Sequence, residues 1–188
     1  MFDTKLLVQG AWRDAEGAKT FQRSRSSAGS PATSAADAAL ADVDAIGKAA
    51  ASAQANWANT GPNARRKLLN AAADRLEAHR DEFIRRMQAE VGATVGWAGF
   101  NVMLGAGILR EAASATTHIT GDIVPSDVPG SFAMAQRKPL GPVLGIAPWN
   151  APVILAVRAV AMPLACGNAA VLKGSEQCPA THALVCEV

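Results

Sequence analysis

Asn150 follows an apolar run at residues 143–147 through the turn Pro148-Trp149. Its amide can donate an N–H to an oxygen gaining negative charge without offering a titratable proton, although an Asn after Pro-Trp also suits a plain turn. Lys173 and Glu176 stand three residues apart in a polar loop. An ammonium and a carboxylate so spaced form either a surface ion pair or a clamp on sugar hydroxyls, in which the carboxylate accepts from the hydroxyls and repels a phosphate. Arg158 is the only charge in the apolar stretch 151–166. A guanidinium is costly to bury unpaired, so it either reaches a surface carboxylate or lines a pocket. Ala151 lies seven positions earlier, two turns along one helical face.

The three cysteines, Cys166, Cys178 and Cys186, are an odd number at spacings that suit neither a disulfide framework nor a zinc site. Cys166 sits in Leu-Ala-Cys-Gly-Asn, a tight turn with apolar neighbours, and reads as an inert packing residue. All three are expected to be reduced and structural, and no metal is expected. His79 has no second ligand near it and is assigned to a core or rim position.

These side chains need elements to place them. Residues 139–179 read as a strand (143–147), a turn (148–150), a helix opened by Pro152, a Gly167-Asn168 turn, a second strand (169–172) and a polar loop. That order is a βαβ unit, with parallel strands and a right-handed crossover. Ligands in such sheets bind at the carboxyl ends of the strands, where Asn150 and Lys173 both fall.

Upstream, Leu6-Leu7-Val8, a polar turn at 14–19 and Phe21 suggest an N-terminal hairpin, and the Ser, Ala and Gly of 24–36 suggest a loop. A helix over 42–57 is expected, with Asp42 as its cap and Val43, Ile46, Ala50, Ala53 and Trp57 inward. After the break at Gly61-Pro62-Asn63, a second helix carries Leu68, Ala72, Leu76, His79, Phe83 and Met87 on one stripe. A third, over 94–118, carries Trp97, Phe100, Leu104 and Ile108. Past Asp122, prolines punctuate two extended runs, 131–137 and 143–147.

The chain has 188 residues, 49% of them hydrophobic and 18% charged, which is enough apolar material for a real core. A net charge of +2 with scattered Arg pairs points away from nucleic acid. The apolar stretch 151–166 falls short of the roughly 20 residues of a membrane span, and residues 1–7 do not match a secretory signal, so a cytoplasmic location is expected.

Three motifs in order, Pro139-Leu140-Gly141-Pro142-Val143-Leu144-Gly145-Ile146-Ala147-Pro148-Trp149-Asn150-Ala151-Pro152, Pro163-Leu164-Ala165-Cys166-Gly167-Asn168 and Leu172-Lys173-Gly174-Ser175-Glu176, resemble the aldehyde dehydrogenase superfamily. Gly61-Pro62-Asn63-Ala64-Arg65-Arg66 and Trp97-Ala98-Gly99-Phe100-Asn101-Val102 are similar to the branch acting on salicylaldehyde, benzaldehyde and vanillin. Residues 25–31 depart from the family's Pro-x-Thr-Gly turn. The resemblance implies an α/β fold: the N-terminal portion of the aldehyde dehydrogenase fold, with helices packed on the start of a parallel Rossmann-like sheet, incomplete. Residues 1–124 would be the hairpin and helical part of the cofactor-binding domain, 125–138 an oligomerisation arm, and 139–188 the start of the NAD(P)-binding βαβ unit, with the catalytic domain absent.

The activity implied is oxidation of a small aldehyde, an aromatic one, to its acid by thiolate attack, hydride transfer to a nicotinamide and thioester hydrolysis. Asn150 matches the family's oxyanion-stabilising amide. Ile146, Ala147, Pro148, Trp149, Lys173 and Glu176 match cofactor-binding positions, with Glu176 favouring NAD and leaving NADP open. Trp97, Ala151 and Arg158 are expected to line the pocket for an aromatic, hydroxylated substrate. The family's nucleophilic Cys and general-base Glu segments are missing, so this chain alone is expected to be inactive and the full-length enzyme a homo-oligomer. The alternative is a non-catalytic truncated product with a weak nucleotide-binding or subunit-association role.

Overall fold

The computed structural model describes residues 1–25 and 27–188. Five short strands come first: β1 (Phe2–Thr4), β2 (Leu6–Val8), β3 (Ala11–Arg13), β4 (Thr20–Ser24) and β5 (Pro31–Ala36). A hairpin is present, but its turn is at Gln9 and Gly10, both at positive φ (53° and 78°), rather than at 14–19. Two consecutive left-handed residues match the twist of paired strands, and glycine at the second makes the turn cheap. β4 does not return to that hairpin. It pairs antiparallel with β5, whose other edge takes β1 in parallel.

Part of the expected loop 24–36 is therefore the central strand of a three-stranded sheet, with Ala32, Thr33 and Ala35 buried. Small polar and Ala residues carry little strand signal of their own. Pairing on both edges decides the conformation here. Ser26, within that loop reading, lies outside the described residues.

Four helices follow: α1 (Leu40–Ala58), α2 (Pro62–Ala78), α3 (Arg80–Val91) and α4 (Val95–Ala115). Asp42 sits in the first turn of α1 rather than before it. Its carboxylate accepts the N–H groups of Ala39 (3.0 Å) and Glu16 (2.9 Å), and these hold its pKa below the ordinary carboxylate value. Val43 and Ala53 face outward, and Ala50 is the buried position.

The expected single helix after Pro62 is two, divided at His79 (φ −95°, ψ 16°), whose Nδ1 lies 2.7 Å from the Arg75 carbonyl oxygen. Its buried stripe is Arg65, Leu69, Ala73 and Leu76, with Leu68 exposed.

α4 also turns a different face inward. Ala98, Val102, Ala106, Leu109 and Ala113 enter the core, while Trp97 and Phe100 remain about two-fifths exposed (43% and 42%), their rings stacked at 5.6 Å. Small residues let neighbouring helices approach: a Cβ at Gly105 would lie 3.2 Å from Val153 Cγ1. Close packing favours that face over the larger side chains.

After α4 come β6 (Asp122–Val124) and β7 (Ala133–Ala135), an antiparallel pair, then β8 (Val143–Ile146), α5 (Pro152–Ala165), β9 (Ala170–Lys173) and α6 (Pro179–Glu187). The core joins Leu76 of α2, Phe83 and Met87 of α3, Val102 of α4, Val153 and Val157 of α5 and Leu184 of α6. β8 and β9 are parallel, as the βαβ reading requires. Gly145 lets α5 lie on β8, since a Cβ there would be 2.8 Å from that of Ala159.

The last turn of α5 is tied down by polar side chains. Trp57 Nε1 donates to the Leu164 carbonyl (3.1 Å) and Arg65 Nε to that of Ala165 (3.0 Å). Gln54 donates to the Gly167 carbonyl (3.0 Å) and accepts from Ala169 N–H (2.7 Å). Helix C-termini leave orphan carbonyls, and these donors satisfy them. Asn168 Oδ1 accepts from the N–H groups of Leu140 (2.7 Å) and Gly141 (3.1 Å), fixing the entry to β8. At the other end of the unit, the fully buried Glu90 of α3 accepts from Ala180 N–H (2.8 Å), Thr181 N–H (2.9 Å), Thr181 Oγ1 (2.7 Å) and Thr33 Oγ1 (2.8 Å). A carboxylate at the N-terminus of α6 suits the helix dipole.

Candidate functional site

β8 and β9 end together: Ile146 is in register with Lys173, and Ala147 N–H donates to the Lys173 carbonyl at 3.0 Å. Beyond them the chain leaves the sheet on both sides, through Pro148-Trp149-Asn150 and through Gly174-Ser175-Glu176. Between the two exits lies an open cleft of about 420 Å³, lined by Ile146, Ala147, Pro148, Trp149, Lys173, Ser175 and Glu176. All six side chains expected at a cofactor line it, and Ser175 is added.

The walls differ in character. One presents Trp149, 53% exposed. The other presents charge: Lys173 Nζ lies 3.7 Å from Glu176 Oε2, with both side chains more than half exposed. Glu176 is held below the ordinary Glu value, first by its own backbone N–H, then by the Gln177 side chain and Lys173, so it is ionised at neutral pH. So exposed a pair adds little to stability and is available to a ligand.

The charged loop is held from behind. Ser175 N–H donates to His182 Nδ1 (2.8 Å), Gln177 N–H to Ser175 Oγ (3.2 Å), and Arg23 Nε to the Gln177 carbonyl (3.0 Å). Ser175, His182 and Arg23 were not singled out by sequence reasoning. They act through backbone atoms, and no residue type at that spacing announces such a contact.

Asn150 is exposed, and among the described residues no protein group hydrogen-bonds its amide. Ala151 is buried and precedes α5 with φ −139° and ψ 67°. Its backbone is not helical, so the two-turn spacing does not set Ala151 and Arg158 on one helical face. Arg158 is exposed, and Trp97 is half-exposed on α4; neither lines the cleft. No cysteine lines it either. Cys178 is fully buried, and burial pushes its thiol well above the ordinary value. Among the described residues no group of acidic, His and Cys side chains could hold a metal ion, and no helix is long and apolar enough to cross a membrane.

Comparison with known proteins bears on this geometry. Residues 12–188 match the aldehyde dehydrogenase family profile. The chain is 53% identical, over all of its length, to a vanillin dehydrogenase of Pseudomonas fluorescens. It superimposes with a TM-score of 0.97 and 43% identity on the crystal structure of a salicylaldehyde dehydrogenase from Pseudomonas putida G7 complexed with salicylaldehyde, all of the chain being covered. An NAD-dependent benzaldehyde dehydrogenase from Corynebacterium glutamicum gives 0.90 and 36%, over 95% of the chain. In each case the chain spans 39% of the relative's length.

Proposed function

The chain belongs to the aldehyde dehydrogenase family, and on that premise we propose that it forms the nucleotide-binding side of an enzyme oxidising an aromatic aldehyde to its acid with NAD. The carrying observation is the cleft at the ends of β8 and β9, where a carboxylate, an ammonium and an exposed indole surround about 420 Å³. Crevices at strand carboxyl ends are where open α/β sheets take dinucleotides.

The residues fit such a cofactor. Lys173 donates to ribose hydroxyls, and Glu176 accepts from the 2′- and 3′-hydroxyls while its charge opposes a 2′-phosphate. When bound, the nicotinamide supplies the two-electron oxidant. Asn150, its amide without a protein partner among the described residues, donates to the carbonyl oxygen as charge gathers there. Trp97 and Arg158, both exposed, are assigned to the aldehyde's side of the enzyme, where they offer stacking and hydrogen bonds to a hydroxylated ring.

In this reading the nucleophilic thiolate is supplied by another part of the enzyme, and Cys166, Cys178 and Cys186, none of which lines the cleft, are packing residues. Residues 125–138, which carry β7 and the exposed Val128, Phe132 and Met134, are the arm through which subunits associate in this reading.

Calorimetric titration of the enzyme carrying this chain with NAD, NADP and ADP-ribose tests the proposal. NAD and ADP-ribose should bind more tightly than NADP. Binding of none of the three, or a preference for NADP, would overturn it.

A further inference from the structure

Behind the cleft lies an imidazole that none of the steps above uses. His182, on the first turn of α6, is 2% exposed. Its Nδ1 receives the N–H of Ser175 at 2.8 Å, which requires a lone pair there. A neutral ring then carries its proton on Nε2, and that atom is 3.2 Å from the carbonyl oxygen of Pro152. The two partners belong to opposite walls. Ser175 stands between Lys173 and Glu176, whereas Pro152 opens α5, two residues after Asn150.

The ring also fills space. A Cβ at Gly174 would lie 3.0 Å from both Cβ and Nδ1 of His182, so the backbone of the charged loop rests directly on the imidazole. Cys178 Sγ is 3.8 Å from each ring nitrogen. With Nδ1 accepting and Nε2 donating elsewhere, neither is left for the thiol, and the sulfur only packs against the ring. A Cys–His nucleophile is thereby ruled out: the thiol is buried and protonated, burial keeps the imidazole neutral, and neither lines the cleft.

We infer that His182 is a positioning residue, a neutral two-sided connector whose bonds to Ser175 and Pro152 hold the Lys173–Glu176 wall at a fixed distance from the Asn150 wall. The inference rests on the nucleotide reading of the cleft. Lys173 and Glu176 are exposed and held to each other only by a 3.7 Å ion pair, so the spacing of the backbone that bears them sets how well both meet one ribose. An acceptor at Nδ1 fixes the charged wall, and a donor at Nε2 ties that wall to α5.

The two bonds can be separated by substitution. In His182→Asn the amide oxygen replaces Nδ1 and the Pro152 bond is lost. In His182→Gln the amide nitrogen reaches the Nε2 position and the Ser175 bond is lost. His182→Leu loses both.

The readouts are calorimetric affinity for AMP, which carries the ribose without the nicotinamide, and hydrogen exchange at the Ser175 amide, measured in the enzyme carrying this chain. Because losing either bond breaks the connection between the walls, AMP should weaken by about tenfold in all three variants, whereas Ser175 exchange should quicken in His182→Gln and His182→Leu and stay slow in His182→Asn. If His182→Leu does not fold, the Asn and Gln variants decide the matter between them. AMP affinity within about threefold of the parent in either of those two, or equal Ser175 protection in both, would overturn the connector. Failure of the parent enzyme to bind AMP would overturn the cleft reading and the positioning role with it, while the Ser175 amide would still report whether the bond exists.

Discussion

The N–H of Ala147 donates to the carbonyl of Lys173 at 3.0 Å, one residue past the end of β8. This is the last bond of the parallel ladder, and it determines that the loop bearing Asn150 and the loop bearing Glu176 leave the sheet at the same level. The two chemistries proposed for them, charge stabilisation and ribose binding, therefore separate in kinetics even though they share one scaffold.

Asn150→Ala should lower kcat of the enzyme carrying this chain by about 10²–10³ while leaving NAD binding almost unchanged, because the amide acts on charge that develops in the transition state. Steady-state kinetics with benzaldehyde or salicylaldehyde measures this. Lost cofactor affinity with kcat intact would reverse the assignment.

Lys173→Ala and Glu176→Ala should do the opposite, raising KM for NAD most. The exposed Glu176 carboxylate is ionised at neutral pH, so its removal should also relieve repulsion of a 2′-phosphate and improve kcat/KM for NADP. A Glu176→Ala enzyme no better with NADP would show that the carboxylate does not discriminate.

Much of this site was legible in the residues, and for a physical reason. Pro148, Pro152, Gly167 and Asn168 punctuate a βαβ unit whose strand ends bear the residues that line the cleft, and local chemistry and topology agree there. Residues 31–36 were not legible as a strand, because their conformation comes from β1 and β4 on either side. The inward face of α4 was misjudged for a related reason. Size suggests that Trp97 and Phe100 pack inside, but close approach to α2 and α5 demands Ala98, Gly105 and Ala106. His182 and Arg23 contact backbone atoms far along the chain, and such contacts leave no periodic trace.

Glu90→Ala should destabilise the fold by at least about 3 kcal/mol, since it leaves four buried donors without their acceptor. Glu90→Gln, which retains an acceptor oxygen, should lose less. Urea unfolding of both variants checks the order, and equal losses would mean that volume rather than hydrogen bonding is at stake.

Acid should unfold the protein partly through His182. Burial lowers its pKa to about 4 from 6.5, with nearby Lys173 acting in the same direction and the Pro152 carbonyl opposing. Between those two values the unfolded chain binds more protons, so stability rises with pH: the full contribution is present above 6.5 and is lost on descending towards 4. The whole step is worth about 3 kcal/mol. Melting temperatures from pH 7.5 to 4.5 should fall less steeply for His182→Asn than for the parent, and parallel slopes would contradict the assignment.

Expressed alone, the 188-residue chain should self-associate. β8 and β9 form a two-stranded sheet whose Leu144 and Ile146 are more than 60% exposed (61% and 66%), and unpaired strand edges with apolar faces recruit other chains. Size-exclusion chromatography with a thermal melt gives the answer. A monodisperse monomer with one sharp transition would show a self-sufficient domain.

The bond from Arg23 to Gln177 spans 154 positions of sequence. On a ribosome adding about 5–20 residues per second, Arg23 is made roughly 8–30 s before the carbonyl it donates to. Thr33 and Arg23 find Glu90 once α3 has emerged, but the second bond of Arg23, to Gln177, must wait until the loop beyond β9 has been made. The Arg23–Gln177 tie of the N-terminal sheet is thus closed last, and a pause anywhere between residues 23 and 177 would prolong its vulnerable interval by the full length of that pause.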